Sequence, residues 1–187
     1  MTVSLSDCTD AELAALALGG RQTAYSELMR RYRDPIYRLV RAQVGDADEA
    51  LDVTLECFIS AFAALARFDR TRPFRVWVSR IAINKCRDWA RRRSVRRFFT
   101  FALPIDAASR TADSAPAPDV AMADQEEWQR LSTAIAQLPL SVRQPLLLCS
   151  IEGLSQAEAA QVLNISEKAV ETRIYRARSK LSEILRG

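Results

Sequence analysis

The sequence predicts an all-α protein of two small helical domains joined by a flexible linker. No stretch shows the alternation of a strand, whereas apolar residues recur at helical spacing behind recognisable capping signals. Residues 100–122 interrupt that pattern with Ala, Ser, Thr, Asp and Pro, including Pro104, Pro116 and Pro118, and carry no period of their own. The expected division is a domain at 1–99, a tether at 100–122 and a second domain at 123–187. At 187 residues and 49% hydrophobic content the chain can fill two such cores.

Taken in order, Thr9 and Glu12 form a capping box that opens a first helix ending near Gly19 and Gly20. A second helix starts near Gln22 with Tyr25, Leu28, Met29 and Tyr32 on one face. Pro35 fits either a new helix start or a kink, with Tyr37, Val40 and Val44 continuing the apolar side. Asp46 and Glu49 signal a third helix, in which Leu51, Leu55, Phe58, Phe62 and Leu65 are the expected buried face. Glu49, Asp52 and Glu56 form an acidic stripe away from it. A polar loop, 67–73, separates this helix from one running from Phe74 to about Arg97. Phe98, Phe99 and Phe101 follow without an assigned role.

Charge is distributed unevenly. Residues 67–97 carry 12 basic and 2 acidic side chains, a balance of +10, within a chain whose net charge is +4. Such a block is either a solvated face or the footprint of a polyanionic partner. Histidine is absent, which removes the commonest general base and metal ligand. Cys8, Cys57, Cys86 and Cys149 are scattered without a C-x-x-C pair and read as ordinary buried or half-buried thiols. No catalytic residue, metal or cofactor is expected. No apolar run spans a membrane and no signal peptide opens the chain, so the expected location is the cytoplasm.

Two segments carry nucleic-acid chemistry. From Phe74, winding a helix puts Val78, Ala82, Cys86 and Trp89 on a buried side. Trp77, Arg80, Asn84, Arg87 and Arg91 fall in a row on another, with Arg72, Arg75 and Lys85 nearby. Cations neutralise phosphates, an aromatic stacks on or pockets an unpaired base, and Asn84 offers a donor–acceptor pair to a base edge. Trp77 reads equally as a core residue, and the arginines as phosphate contacts alone. Near the C-terminus Ser155 and Glu158 form a second capping box. Asn164 suits the left-handed turn position and Ser166 caps the next helix, a helix-turn-helix spacing. In that last helix Val170, Ile174, Ala177, Leu181 and Ile184 face inward. Lys168, Thr172, Tyr175, Arg176 and Ser179 face out, flanked by Arg173 and Lys180. This is the face a major groove requires, or the wet side of an ordinary amphipathic helix.

These motifs resemble the sigma-70 family of RNA polymerase sigma factors. Phe74, Arg75, Trp77, Arg80, Ile81, Ala82 and Asn84, with the arginine run at 91–93, resemble regions 2.3 and 2.4. The segment 49–58 (EALDVTLECF) resembles region 2.2, and 138–181 resembles region 4. With no further region recognised, the chain resembles the extracytoplasmic-function group. Four departures stand out: Leu55 replaces a usual Gln, Asn164 a turn Gly and Pro145 a helix-friendly residue. Loop 67–73 also lacks Gly and is about one residue short. Pro145 should weaken the first turn of its helix unless Ser141 caps there.

The resemblance implies an alternative sigma factor, monomeric when free, whose partners are core RNA polymerase (β′ clamp and β flap), promoter DNA and an anti-sigma factor. Glu49, Asp52 and Glu56 would contact the polymerase. Arg72, Arg75, Trp77, Arg80, Asn84, Lys85, Arg87 and Arg91 would contact the −10 element, with loop 67–73 capturing a flipped base. Lys168, Thr172, Arg173, Tyr175, Arg176, Ser179 and Lys180 would read the −35 element. The rival readings are a sigma-like mimic that sequesters an anti-sigma factor and a helix-turn-helix activator.

Overall fold

The computed structural model describes residues 4–102 and 122–186, with side chains left aside at 97–102, 122–126, 128 and 129. Phe98, Phe99 and Phe101 fall among those side chains, and most of the proposed tether, with Pro104, Pro116 and Pro118, lies outside the described residues. Among the described residues every regular element is helical: α1 (Asp10–Leu18), α2 (Gln22–Val44), α3 (Ala47–Ala63), α4 (Phe74–Ala102), α5 (Met122–Gln137), α6 (Leu140–Ser150), α7 (Gln156–Leu163) and α8 (Glu167–Arg186). Short 3₁₀ turns stand at Leu5–Asp7 and Leu65–Arg67.

Local chemistry explains the first boundaries. Thr9 caps α1 reciprocally with Glu12: the Thr9 hydroxyl accepts from the Glu12 amide, and the Glu12 carboxylate accepts from the Thr9 amide at 2.7 Å. Gly19 and then Gly20, at φ 92°, turn the chain into α2. Helix α2 runs unbroken through Pro35, so the proline marks neither a new start nor an interruption. Arg31 ties α2 to the N-terminal turn, reaching Asp10 at 3.0 Å, Glu27 at 2.9 Å and the Ser6 carbonyl at 2.8 Å. Hydrogen bonds from Arg30 and Arg31 hold the Glu27 carboxyl down at about 2. The Tyr32 hydroxyl donates to Asp10, and burial followed by that carboxylate keeps the phenol protonated.

Helix α3 corrects the sequence expectation. Its buried face is Ala50, Val53, Thr54, Cys57, Phe58 and Ala61, with Phe62 partly buried, whereas Leu51 and Leu55 are 56% and 53% exposed. Small residues face inward because α3 is wedged between α2 and α4, and close approach of two helices favours short side chains at the seam. Leu51, Leu55 and Ile59, at i, i+4 and i+8, form an exposed apolar row instead. Leu65 closes the core as expected.

In the C-terminal half α6 begins at Leu140 with Pro139 at its N-cap and no side-chain cap, so Ser141 does not cap it. Pro145 therefore lies in the helix interior, past the first turn, where its missing N–H leaves one helical hydrogen bond unmade. The two halves are packed together: α4 touches α7, and α2 touches α5 and α6. The buried apolar residues of both halves form one continuous cluster.

Candidate nucleic-acid interfaces and a docking groove

Helix α4 is the scaffold of the first site. Pro73 precedes it, and the Pro73 carbonyl accepts from the Val76 and Trp77 amides. Phe74, Val78, Ala82, Ile83 and Cys86 are 0–2% exposed and anchor one side. On the other side Arg80, Asn84, Arg87 and Arg91 are exposed in a row at three- and four-residue spacing, while Lys85 is half-buried. Trp77 is half-buried, with its ring 5.2 Å from Phe68 and 5.3 Å from Phe74. Trp77 thus packs one side of its ring on the core, and the remainder edges the cationic row. Ahead of it the Asp69 carboxylate accepts from the Thr71 amide at 3.0 Å and hydroxyl at 2.7 Å, which stiffens loop 67–73 and holds the Asp69 carboxyl below its ordinary pKa.

The cations differ in what else they touch. Arg72 pairs with Asp69 at 3.3 Å and Arg91 with Asp88 at 2.7 Å, both exposed contacts that cost little to exchange. Arg87 donates twice to the Gln144 carbonyl oxygen of α6, at 2.8 and 3.1 Å, and at 3.4 Å to Asn84. Arg75 donates to the Glu152 backbone carbonyl at 3.2 Å and lies 3.9 Å from the Glu158 carboxylate.

The acidic residues of α3 line a groove of about 670 Å3 shared with the later turns of α4. Glu49 accepts from the Trp89 indole at 3.0 Å and from Arg93 at 3.3 Å, and Arg93 also stacks 5.1 Å from the Trp89 ring. Glu56 pairs with Arg92 at 3.2 Å. Asp52 is exposed and makes no ion pair among the described residues. Trp89 is therefore half-buried at the groove rather than a core residue. The exposed row Leu51, Leu55 and Ile59 runs on the same helix.

The second site is built on α7 and α8. Ser155 and Glu158 form the expected capping box, at 3.2 and 2.8 Å. Asn164 ends α7 at φ 55°, ψ 50°, the left-handed conformation that Asn tolerates, and Ser166 accepts from the Ala169 amide at 3.2 Å. Val170, Ile174 and Ala177 are buried, with Leu181 and Ile184 packed beside them. Outward, Tyr175 is 76% exposed, and Lys168, Arg176, Ser179 and Lys180 are exposed too. Thr172 and Arg173 are half-buried, and the Thr172 hydroxyl donates to the Lys168 carbonyl at 2.8 Å. The helix thus presents a cationic face with one projecting aromatic.

Sequence reasoning missed Gln144, Arg143 and Glu152, all buried where the two halves meet. A run of buried-looking Leu146–Leu148 flanked by polar residues was the one available signal, and it does not say which neighbour covers the polar ones. Among the described residues no group of three or more acidic or cysteine side chains is placed to hold a metal, and no helix is long and apolar enough to cross a membrane.

A helical scaffold with a cationic, aromatic-edged row on α4 and a helix-turn-helix at α7 and α8 has the surface chemistry of a nucleic-acid-binding protein. The family description Sigma-70 region 2 matches residues 28–96, and Sigma-70, region 4 matches residues 128–181. The chain is 38% identical over 179 residues to the RNA polymerase sigma factor CnrH of Cupriavidus metallidurans, covering 94% of each chain. It is 30% identical to the ECF RNA polymerase sigma factor SigW of Bacillus subtilis, covering 89% of this chain and 91% of that one. Among solved structures, CnrH in complex with the cytosolic domain of CnrY superposes with a TM-score of 0.71 at 34% identity, covering 94% of this chain and 96% of that one. RpoE, in complex with the anti-sigma factor NepR from Bartonella quintana, shares the fold at a TM-score of 0.72 and 18% identity, over 87% of this chain and 96% of that one. The chain belongs to the sigma-70 family, in its extracytoplasmic-function group. Sigma factors of this family direct transcription initiation.

Proposed function

We propose that this sigma factor docks on core RNA polymerase through Glu49, Asp52 and Glu56, grips the opened −10 strand with α4, and reads the −35 duplex with α8. The observation that carries it is the pairing on one chain of the α3 carboxylates Glu49, Asp52 and Glu56, beside the exposed apolar row Leu51, Leu55 and Ile59, with two separate cationic faces of different character. The row Arg80, Asn84, Arg87 and Arg91 beside Trp77, with Arg72, Arg75 and Lys85, suits a single strand, whose phosphates need cations and whose bases need a flat or pocketed partner. Lys168, Thr172, Arg173, Tyr175, Arg176, Ser179 and Lys180 suit a duplex groove. The exposed row Leu51, Leu55 and Ile59 adds apolar contact area to the polymerase side, where Leu55 takes the place of a usual Gln. The division into 1–99, 100–122 and 123–187 goes with this reading, since both matched segments fall inside the outer two.

Each DNA face alone makes few contacts, so the two gain affinity by being tethered on one promoter. With about six to ten phosphates engaged, affinity falls on the order of 10³-fold between 50 and 200 mM salt. The chain acts on the polymerase rather than as an enzyme, works in the cytoplasm as a monomer when free, and is held in check by an anti-sigma factor. That last point follows the CnrH–CnrY and RpoE–NepR complexes.

Run-off transcription with purified core polymerase on a genomic fragment library tests the whole reading. Addition of the chain should yield new transcripts that share two upstream elements, and the Asp52→Ala/Glu56→Ala double variant should lose them. An active core that gains no transcript from the chain would refute it.

A further inference from the structure

Loop 67–73 holds an acid in the most basic part of the chain. From Arg67 to Arg87 there are seven cationic side chains and a single carboxylate, Asp69. A carboxylate in that setting repels the phosphates that its neighbours attract, and Asp69 also occupies Arg72 at 3.3 Å. If charge were all that mattered, a strand would bind better without Asp69.

Asp69 instead closes the loop on itself. Its Oδ1 accepts from the Thr71 amide at 3.0 Å and from the Thr71 hydroxyl at 2.7 Å, and its Oδ2 faces Arg72. Its backbone carbonyl accepts from the Arg72 amide at 3.0 Å, which completes a turn over residues 69–72. The bonds from Thr71 lower the Asp69 pKa, so the acceptor is ionised at neutral pH. No glycine lends this loop freedom, and one side chain ties its middle together.

The ends of the loop are fixed separately. Phe68 and Phe74, 6% and 0% exposed, flank it and meet edge to face at 5.2 Å. Trp77 lies 5.2 Å from Phe68 and 5.3 Å from Phe74, and Tyr32 of α2, whose hydroxyl donates to Asp10, lies 5.0 Å from Phe74. Between these buried anchors Arg70, Thr71 and Arg72 are exposed. Ordering a loop on binding costs affinity, and a surface that must tell one unpaired base from three others gains from having its shape beforehand.

We propose that Asp69 is a positioning residue for an unpaired base: it holds Thr71 and Arg72 in a fixed turn between the Phe68 and Phe74 anchors, and so sets which base the loop accepts. It lowers strand affinity and raises base discrimination. This role rests on the assignment of loop 67–73 and α4 to the −10 strand, and it names a residue on which base choice depends.

The test uses the full chain bound to purified core polymerase, with core alone as the control. The probe is a pool of random single-stranded DNA about 12 nucleotides long, a length suited to one strand-binding groove, sequenced before and after capture. Asp69→Ala should lower the base preference at one position of the captured motif by about tenfold, the scale of one base held by stacking, while the amount of DNA captured stays equal or rises. Asp69→Asn keeps an oxygen acceptor for Thr71 and drops the charge, so it should retain the preference and capture at least as much DNA as wild type. Both variants alter an exposed side chain and should melt within about 2 °C of wild type. Undiminished preference in Asp69→Ala would overturn the positioning role, as would equal loss in both variants. Loss of preference accompanied by an equal loss of capture and a lower melting temperature would overturn it too. A wild type that captures no motif beyond that of core alone rejects the strand-reading assignment, and the role of Asp69 with it. A wild-type motif that Asp69→Ala retains rejects only the role of Asp69.

Discussion

Glu49 and Asp52 of α3 should behave as two different kinds of carboxylate when replaced singly. Glu49 accepts the Trp89 indole N–H at 3.0 Å and faces Arg93 at 3.3 Å, with its side chain 39% exposed. A buried hydrogen bond to a charged group contributes about 1.5–3 kcal/mol; at this exposure about 1 kcal/mol is appropriate, with a few tenths more from Arg93. Glu49→Ala should therefore lower the melting temperature of this chain by about 2–5 °C, whereas Glu49→Gln, which keeps an acceptor for Trp89, should recover most of the loss. Asp52 is exposed in mid-helix and unpaired among the described residues. Since Ala is the better helix former, Asp52→Ala should leave the melting temperature unchanged or raise it slightly. In a binding titration against core polymerase the order reverses: Asp52→Ala should weaken binding although the fold is intact. Circular dichroism melts beside that titration decide the matter. If Asp52→Ala melts as low as Glu49→Ala, or Glu49→Gln fails to recover, the division between structural and docking carboxylates is wrong.

Three further outcomes follow from local chemistry. Asn164 sits at φ 55°, so Asn164→Ala should cost about 1 kcal/mol in urea unfolding and Asn164→Gly close to nothing; equal costs would mean the turn is not strained. Burial holds the Glu152 carboxyl above its ordinary pKa, against the opposing fields of Arg75 and Arg38. The folded state then favours the protonated acid and loses relative stability as pH rises through that raised value. Glu152→Gln should accordingly raise the melting temperature near neutral pH and change it little at about pH 4, and a variant less stable than wild type at pH 7 would contradict this. Burial pushes the Cys57 and Cys86 thiols up to about 12, so a thiol reagent at about pH 8 should modify half-buried Cys149 in the native chain and reach those two only on unfolding.

What could be read from the sequence was what local chemistry decides. Both capping boxes, the left-handed Asn164, and the inward sets Val78, Ala82, Cys86 and Val170, Ile174, Ala177 need only neighbouring residues to be recognised. Helix α3 was read a face out of place because a large apolar side chain signals preference for an apolar neighbour without naming it. Leu51 and Leu55 are exposed in the isolated chain, while Ala50, Ala61 and Thr54 are buried because α2 and α4 come close. Pro35 starts no new helix for a related reason, since the packing of α2 on five other helices outweighs one missing hydrogen bond. The seam between the two halves had only the Leu146–Leu148 run as a signal, since Gln144 and Glu152 are polar residues whose burial depends on elements far away in the chain.

One helix spans two tasks. Arg75 and Arg93 belong to the same unbroken α4, about 27 Å apart at 1.5 Å per residue. The far turns, with Trp89, Arg92 and Arg93, are fastened to Glu49 and Glu56 of α3, and the near turns carry the cationic row proposed to read the strand. The helix is therefore a ruler: whatever seats the groove also sets the distance and the angular phase at which Arg80 and Asn84 are presented, and on the proposed function those are the residues that meet DNA. Inserting a single residue between Asn84 and Trp89 would keep every side chain and both surfaces, yet turn one against the other by about 100°, so neither could be used while the other was engaged.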